Sequence, residues 1–225
     1  MMSTNDSLRN RTVGDIAATL PGATGIFRKL KLDFCCGGDV KLADAARERG
    51  LDIAVIENAL VAIDPSKSAP TPEATDALID HILTRYHEVH QRELPELIRL
   101  AKKVEAVHAH HPEPPRDIAA TLNAIQTELE KHMQIEETEL FPFMKQQDGK
   151  GSQLPIAQLR HDHDQHGELL HRLETLTNGF VLPEGACRSW EALWAGGSKL
   201  VDDVMEHIHL ENNVLFPRFE DRQAA

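Results

Sequence analysis

One phrase in this chain is written twice. HMQIEETELFP occupies residues 132–142 and HIHLENNVLFP occupies 207–217, both of the form His-x3-Glu-x3-Leu-Phe-Pro. The two copies lie 75 residues apart, and His87 and His163, in the echoing stretches HEVHQREL and HDQHGELL, lie 76 apart. On a helix, positions i and i+4 sit one above the other on a single face. Each copy therefore projects an imidazole and a carboxylate in the same direction. A chain built this way must form helices, and it must bring two such helices face to face.

The surrounding pattern agrees. Leu78, Ile79, Ile82, Tyr86, Val89, Leu94, Leu97, Ile98, Ala101 and Val104 make a stripe of 3.6-residue period. It predicts a helix over about 73–110, kinked at Pro95. Further helices are expected over about 116–147, 155–178 and 187–221, separated by HHPEPP, QDGKGSQ and NGFVLPEG. Strand-like alternation is nearly absent. The expected fold is all-α, with an up-down-up-down four-helix bundle at residues 74–225. The Pro- and Ser-rich stretch DPSKSAPTPE, residues 64–73, reads as a linker. Before it, residues 1–63 hold only short helical phrases: TVGDIAATL with Thr12 as N-cap, GIFRKL, KLADAARER and DIAVIENALVAI. They predict a small helical N-terminal domain with CCGG in one of its turns.

Charge separates the same two parts. Residues 1–63 carry eight Lys/Arg and eight Asp/Glu, so the net charge of −12 comes from the remainder. An acidic chain of this kind is a poor partner for nucleic acid, whose binding draws on a basic surface. No apolar run reaches membrane-spanning length, and MMSTNDSLRNRTVGD lacks the apolar core of a signal peptide. A cytoplasmic protein is expected. Three cysteines make no disulfide framework, whereas thirteen histidines are well above an ordinary share.

Paired His-x3-Glu helices suggest a metal centre. His132, Glu136, His207 and Glu211 face one another, and one His from each of the other two helices completes six ligands. On the first helix this is His87 or His90, and on the third His163 or His166; spacing alone leaves both pairs open. Imidazole with carboxylate suits iron, manganese or zinc and disfavours copper(I). Such a set serves two metals, because carboxylates bridge ions in bundle cores. Leu140, Phe141, Leu215 and Phe216 are expected in the core, with Pro142 and Pro217 bending their helices. His81, His161, His171 and His209 are expected in solvent or behind the ligands. His108, His110 and His111 suit the dipole at a helix C-terminus. Cys187 reads as an ordinary small apolar residue opening the last helix.

The stretches GIFRKLKLDFCCGG, IDHILTRYHEVHQRELPELI, HMQIEETELFP, HDHDQHGELL and HIHLENNVLFPR together resemble the RIC family, hemerythrin-like di-iron proteins that repair iron–sulfur clusters. The resemblance spans almost the whole chain. It implies a non-haem di-iron centre held by His87, His132, Glu136, His163, His207 and Glu211, with Glu136 and Glu211 as bridges. The extra histidines of RHDHDQH keep His166 as an alternative to His163. It also implies a role in restoring clusters damaged by nitric oxide or oxidants, with damaged iron–sulfur proteins as partners. Apart from the resemblance, a near-neutral first part can pack against an acidic bundle, so a homodimer is one expected assembly. Iron donation is the leading function. A nitric oxide reductase producing nitrous oxide, or an oxygen or nitric oxide sensor, are the alternatives. DFCCGG is the family's cysteine motif. Cys35 and Cys36 would serve as a redox pair, as a strained and easily reduced vicinal disulfide, or as thiols relaying iron. The bland alternative is two small residues packed at a Gly-Gly turn.

Overall fold

A computed structural model of the chain describes residues 8–64, 71–146 and 156–220. Most of the expected linker, and the loop after the second long helix, lie outside the described residues. Eight helices form. Four are short: α1 (Val13–Thr19), α2 (Ala23–Lys29), α3 (Leu42–Glu48) and α4 (Ile53–Val61). Four are long and, except for α7, interrupted by a π turn. α5 runs Thr75–Ile82, then Leu83–His87 as π, then Glu88–Val107. α6 runs Ile118–Ile135, Glu136–Leu140 as π, and Phe141–Lys145. α7 is Ile156–Leu176, and α8 runs Arg188–His209, Leu210–Leu215 as π, and Pro217–Glu220.

These helices gather into two compact units that do not follow chain order. One takes in the chain up to Leu78 and again from Met205 onward; the other is Ile79–Val204.

In the first unit the short helices begin and end where their sequences dictate. Thr12 caps α1 by accepting from the Asp15 N–H at 3.2 Å. Leu20, ahead of Pro21, takes the extended conformation that a following proline imposes. Asp52 caps α4 through the Ala54 N–H. Val13, Ile16, Phe27, Leu32, Phe34, Leu42, Ile56 and Leu60 are buried, and so are Leu215, Phe216 and Phe219 from the far end of the chain. Glu57 is buried among them, held by two bonds from Arg9 at 2.6 and 3.0 Å.

In the second unit the long helices form the four-helix bundle, with α5 and α7 both packed on α6. α8 packs on α5 through Gly196, where an added Cβ would come within 2.5 Å of Leu97 Cδ2. Asp203 of α8 accepts two bonds from Arg85 of α5, at 2.7 and 3.2 Å, and one from Lys199 at 2.8 Å. Burial alone would push the Asp203 carboxyl up, but these two cations outweigh it and hold it below its ordinary value. The stripe on α5 departs from expectation at one point: Val89 is only half-buried and His90 is buried instead. The π turn at Leu83–His87 adds a residue to the turn and shifts the buried face after it. α5 continues through Pro95.

The loops beyond α5 and α7 are also tied down. The Glu105 carboxylate accepts from the Ile118 and Ala119 N–H groups, at 2.7 and 3.0 Å, and so caps α6. His108 and His111 set their rings edge-on to the buried Trp190, at 4.8 and 5.2 Å between centroids. Of the three histidines expected to answer a helix dipole, these two do aromatic packing, and only His110 is exposed. Cys187 is exposed, with its carbonyl taking the first N–H groups of α8. Among the described residues no helix is long and apolar enough to cross a membrane.

Candidate metal centre

The second unit contributes four buried side chains. His132 and Glu136 stand one turn apart on α6, with Nε2 and Oε1 3.4 Å apart. His87 ends the π turn of α5 and sets its Nε2 3.5 Å from the other oxygen of Glu136. His163 of α7 faces His132, Nε2 to Nε2, at 2.9 Å. None of the four side chains exposes more than 2% of its surface. A carboxylate amid three imidazoles, cut off from water, is costly to bury without a positive charge among them. Metal–nitrogen and metal–oxygen bonds of about 2.0–2.2 Å leave neighbouring donors roughly 3 to 3.5 Å apart. The observed separations are of that size, so these residues fit a hard or borderline cation.

Behind the donors stand two further carboxylates. Glu137 Oε1 lies 2.8 Å from His87 Nδ1, and Asp162 Oδ2 lies 3.5 Å from His132 Nδ1. Loss of solvent raises the Glu137 carboxyl above its ordinary value.

The first unit holds a pair of its own. His207 Nε2 and Glu211 Oε1, one turn apart near the end of α8, are 2.9 Å apart and fully buried. The residues after Glu211 turn to the cysteine loop. Asn212 donates to the Cys35 carbonyl at 3.0 Å, and Asn213 donates to the Phe34 carbonyl at 2.9 Å. From the other side, the Asp33 carboxylate accepts from the backbone N–H groups of Cys35 and Cys36, at 3.1 and 3.0 Å. The two cysteines are not joined in a disulfide, and their sulfurs lie 3.7 Å apart. A hydrogen bond with Cys36, together with burial, raises the Cys35 thiol well above its usual value. The Gly-Gly turn beside them is needed for close approach: a Cβ on Gly38 would meet Gly14 Cα and the Phe34 carbonyl at 3.1 Å.

His209 does not behave as a solvated residue. It is buried, packs edge-on against Phe34 at 5.5 Å, and shares a 2.9 Å hydrogen bond with Asn213. Burial lowers its pKa to about 4. This packing of the cysteine loop is tertiary, and the sequence carried no signal for it.

The three π turns fall where the donors are: His87 closes one, Glu136 opens the second, and Glu211 lies inside the third. Wide turns of this kind cluster at functional sites. Leu-Phe-Pro marks the second and third of them in the sequence. Proline lacks an N–H and its ring crowds the carbonyl four residues back, which strains the α register entering Pro142 and Pro217. The wide turn before each proline absorbs the mismatch, closing with Phe141 N–H to Glu136 O and Phe216 N–H to Glu211 O. His90 and His166, the alternatives on α5 and α7, are buried as well.

Comparison with known proteins gives the same picture. Residues 78–219 match the hemerythrin HHE cation binding domain, and residues 9–64 match ScdA_N, a domain of unknown function (DUF542). The chain is 45% identical over 213 residues to the iron-sulfur cluster repair protein YtfE of Pectobacterium atrosepticum, covering 93% of this chain and 96% of that one. It is 43% identical over 213 residues to the protein of that name from Edwardsiella ictaluri, with the same coverage. Against that from Cronobacter sakazakii it is 44% identical over 220 residues, or 94% and 97% of the two chains. The chain belongs to the hemerythrin-like family of iron–sulfur cluster repair proteins.

Proposed function

We propose that the buried donors of the two units make one di-iron centre and that the protein supplies iron for repair of iron–sulfur clusters damaged by nitrosative and oxidative stress. The observation that carries the reading is the doubled half-site, a buried imidazole and carboxylate one turn apart in each unit: His132 with Glu136, and His207 with Glu211. Glu136 and Glu211 are the proposed bridges between two ions. The doubled phrase then has a reason, since two ions need two nearly identical half-sites.

The donor set suits cargo that must also leave. When bound, the irons supply an exchangeable store whose hold on carboxylates weakens on reduction, because ferrous ion is the weaker partner for hard oxygen donors. Glu136 and Glu211 serve both ions, so loosening either carboxylate loosens both sites. His87, His132, His163 and His207 hold positions from four helices and keep water out. Cys35 and Cys36, on a pinned loop, are the proposed relay or redox pair. Proteins with damaged clusters are the partners in this reading, and the cytoplasm is where it places the exchange.

The test begins with anaerobic purification, iron counting and Mössbauer spectroscopy. About two irons per chain in a coupled pair are expected, with the second lost on Glu136→Leu or Glu211→Leu. The loaded protein should then restore a nitric-oxide-damaged cluster enzyme. If free iron restores that enzyme and the loaded protein does not, iron supply is wrong. One zinc, or no metal, would sink the di-iron centre itself.

A further inference from the structure

Hydrogen bonds fix the backbone around Cys35 and Cys36 on both sides. The Asp33 carboxylate accepts from their two N–H groups, and Asn212 and Asn213 donate to the Cys35 and Phe34 carbonyls. On this frame the sulfurs lie 3.7 Å apart, and Asp33 Oδ1 lies 3.5 Å from the sulfur of Cys35. Two thiolates on one tetrahedral ion, with metal–sulfur bonds of about 2.3 Å, stand about 3.8 Å apart. A disulfide suits the pair less well. The Cα atoms of adjacent residues are about 3.8 Å apart, short of the roughly 4.4–6.8 Å that the bond prefers. Electrostatics point the same way. The hydrogen bond with Cys36, burial and the charge of Asp33 all raise the Cys35 thiol, and a thiol kept protonated is a slow partner in disulfide exchange. The same carboxylate attracts a cation, and a bound cation displaces thiol protons. Cys35 is buried, whereas Cys36 is partly exposed and presents the pair to solvent.

We propose that Cys35 and Cys36 are a metal site in their own right, whose two sulfurs chelate one thiophilic divalent cation of the size of ferrous iron or zinc beside the Asp33 carboxylate. In the relay reading above, on which this rests, the pair then carries iron and does not cycle through a disulfide. The ion arrives as a dication and each thiol gives its proton to water. Two metal–sulfur bonds replace two S–H bonds, and nothing is oxidised. With only two protein sulfurs bound, the other tetrahedral positions stay open to incoming ligands. An ion held in this way passes on by ligand exchange, and an acceptor that builds iron–sulfur clusters on thiolates offers ligands of the same kind. Asp33 is a positioning residue here: it fixes both N–H groups and draws the cation in.

The alternative is a sulfur–sulfur contact at a packed turn. Cobalt(II) separates the two, because thiolate ligation gives an intense near-ultraviolet charge-transfer band that histidine and glutamate donors do not. The full-length chain is titrated with cobalt(II), anaerobically and with a phosphine reductant, on a Cys187→Ser background because Cys187 is exposed. About one sulfur-ligated cobalt per chain is expected, displaced by zinc(II). The band should be absent when Cys35→Ser and Cys36→Ser are combined. Asp33→Asn keeps an acceptor oxygen for the N–H groups and removes the charge, so the affinity should fall about tenfold or more. Zinc(II) should also protect Cys36 from iodoacetamide, a readout that leaves the loop unaltered and stands in if the serine variant does not fold. Cobalt bound without the band, together with Cys36 labelled as fast with zinc as without, would reduce the pair to a packed turn. A band that survives in the serine variant would overturn the site equally. A chain that shows the band but holds no coupled iron pair would overturn the di-iron centre and leave this site standing.

Discussion

Replacing Asn213 with alanine should open the cysteine loop without unfolding the bundle. The amide of Asn213 donates to the Phe34 carbonyl at 2.9 Å and is paired with His209 Nδ1 at the same distance. Asn213→Ala strands a carbonyl on a fully buried residue and a ring nitrogen beside it. Each group left unsatisfied costs about 1–3 kcal/mol. Gly14 leaves room for this amide, since an added Cβ there would lie 2.8 Å from Asn213 Oδ1. A net local destabilisation of about 2–3 kcal/mol follows, taking the lower part of that range for two groups. Cys35 is buried and reports the opening, because its thiol reacts only when the loop lifts. At about 1.4 kcal/mol per factor of ten, labelling of Cys35 should speed up roughly 30- to 150-fold. Iodoacetamide kinetics read by mass spectrometry give this rate, on a Cys187→Ser background because Cys187 is exposed. Backbone circular dichroism should be unchanged. A labelling rate within about threefold of the parent would mean that Asn213 does not pin the loop.

Two other perturbations test the bundle. Asp203 has its carboxyl held low by Arg85 and Lys199, so the stability it contributes is fully present above about pH 4, the unfolded value, and is lost as pH falls through the lower folded value. Asp203→Asn should cost about 1–2 kcal/mol at pH 7, since both cations are partly solvated, and should flatten the acid limb of a urea-denaturation series; an unchanged acid limb would refute this. Gly196→Ala should destabilise by about 1–3 kcal/mol through its clash with Leu97. Adding Leu97→Ala should then cost less in that background than in the parent, and strict additivity of the two would show that the helices meet elsewhere.

Much of this arrangement is legible in the sequence because it is periodic. The 3.6-residue stripe places the long helices to within a few residues of their ends, and the i, i+4 spacing sets His132 beside Glu136 and His207 beside Glu211. The π turns are harder to read. Leu-Phe-Pro signals a break in register but not which carbonyl will accept from five residues on, and the same widening trades Val89 for His90 in the core. Residues whose role depends on a partner far along the chain are illegible by pattern. Nothing near His209, Asn212 or Asn213 indicates Phe34 and Cys35, 175 to 179 residues away. Glu137 is hidden for a related reason: beside a more conspicuous glutamate it reads as surface, and only the bundle brings it to His87.

The interleaving of the first unit bears on how the protein is made. Its core needs Phe27 and Phe34 from one end of the chain and Leu215, Phe216 and Phe219 from the other. At about 5–20 residues per second, a ribosome takes on the order of ten to thirty seconds to travel from the cysteines to the asparagines that hold them. During that interval Cys35 and Cys36 hang on an unfinished domain, open to oxidants, nitrosating agents and stray metal. A stress that damages clusters would therefore strike the newest copies of this protein at its thiols first. Cells under such stress should accumulate chains modified at Cys35 during synthesis, while chains completed beforehand stay intact.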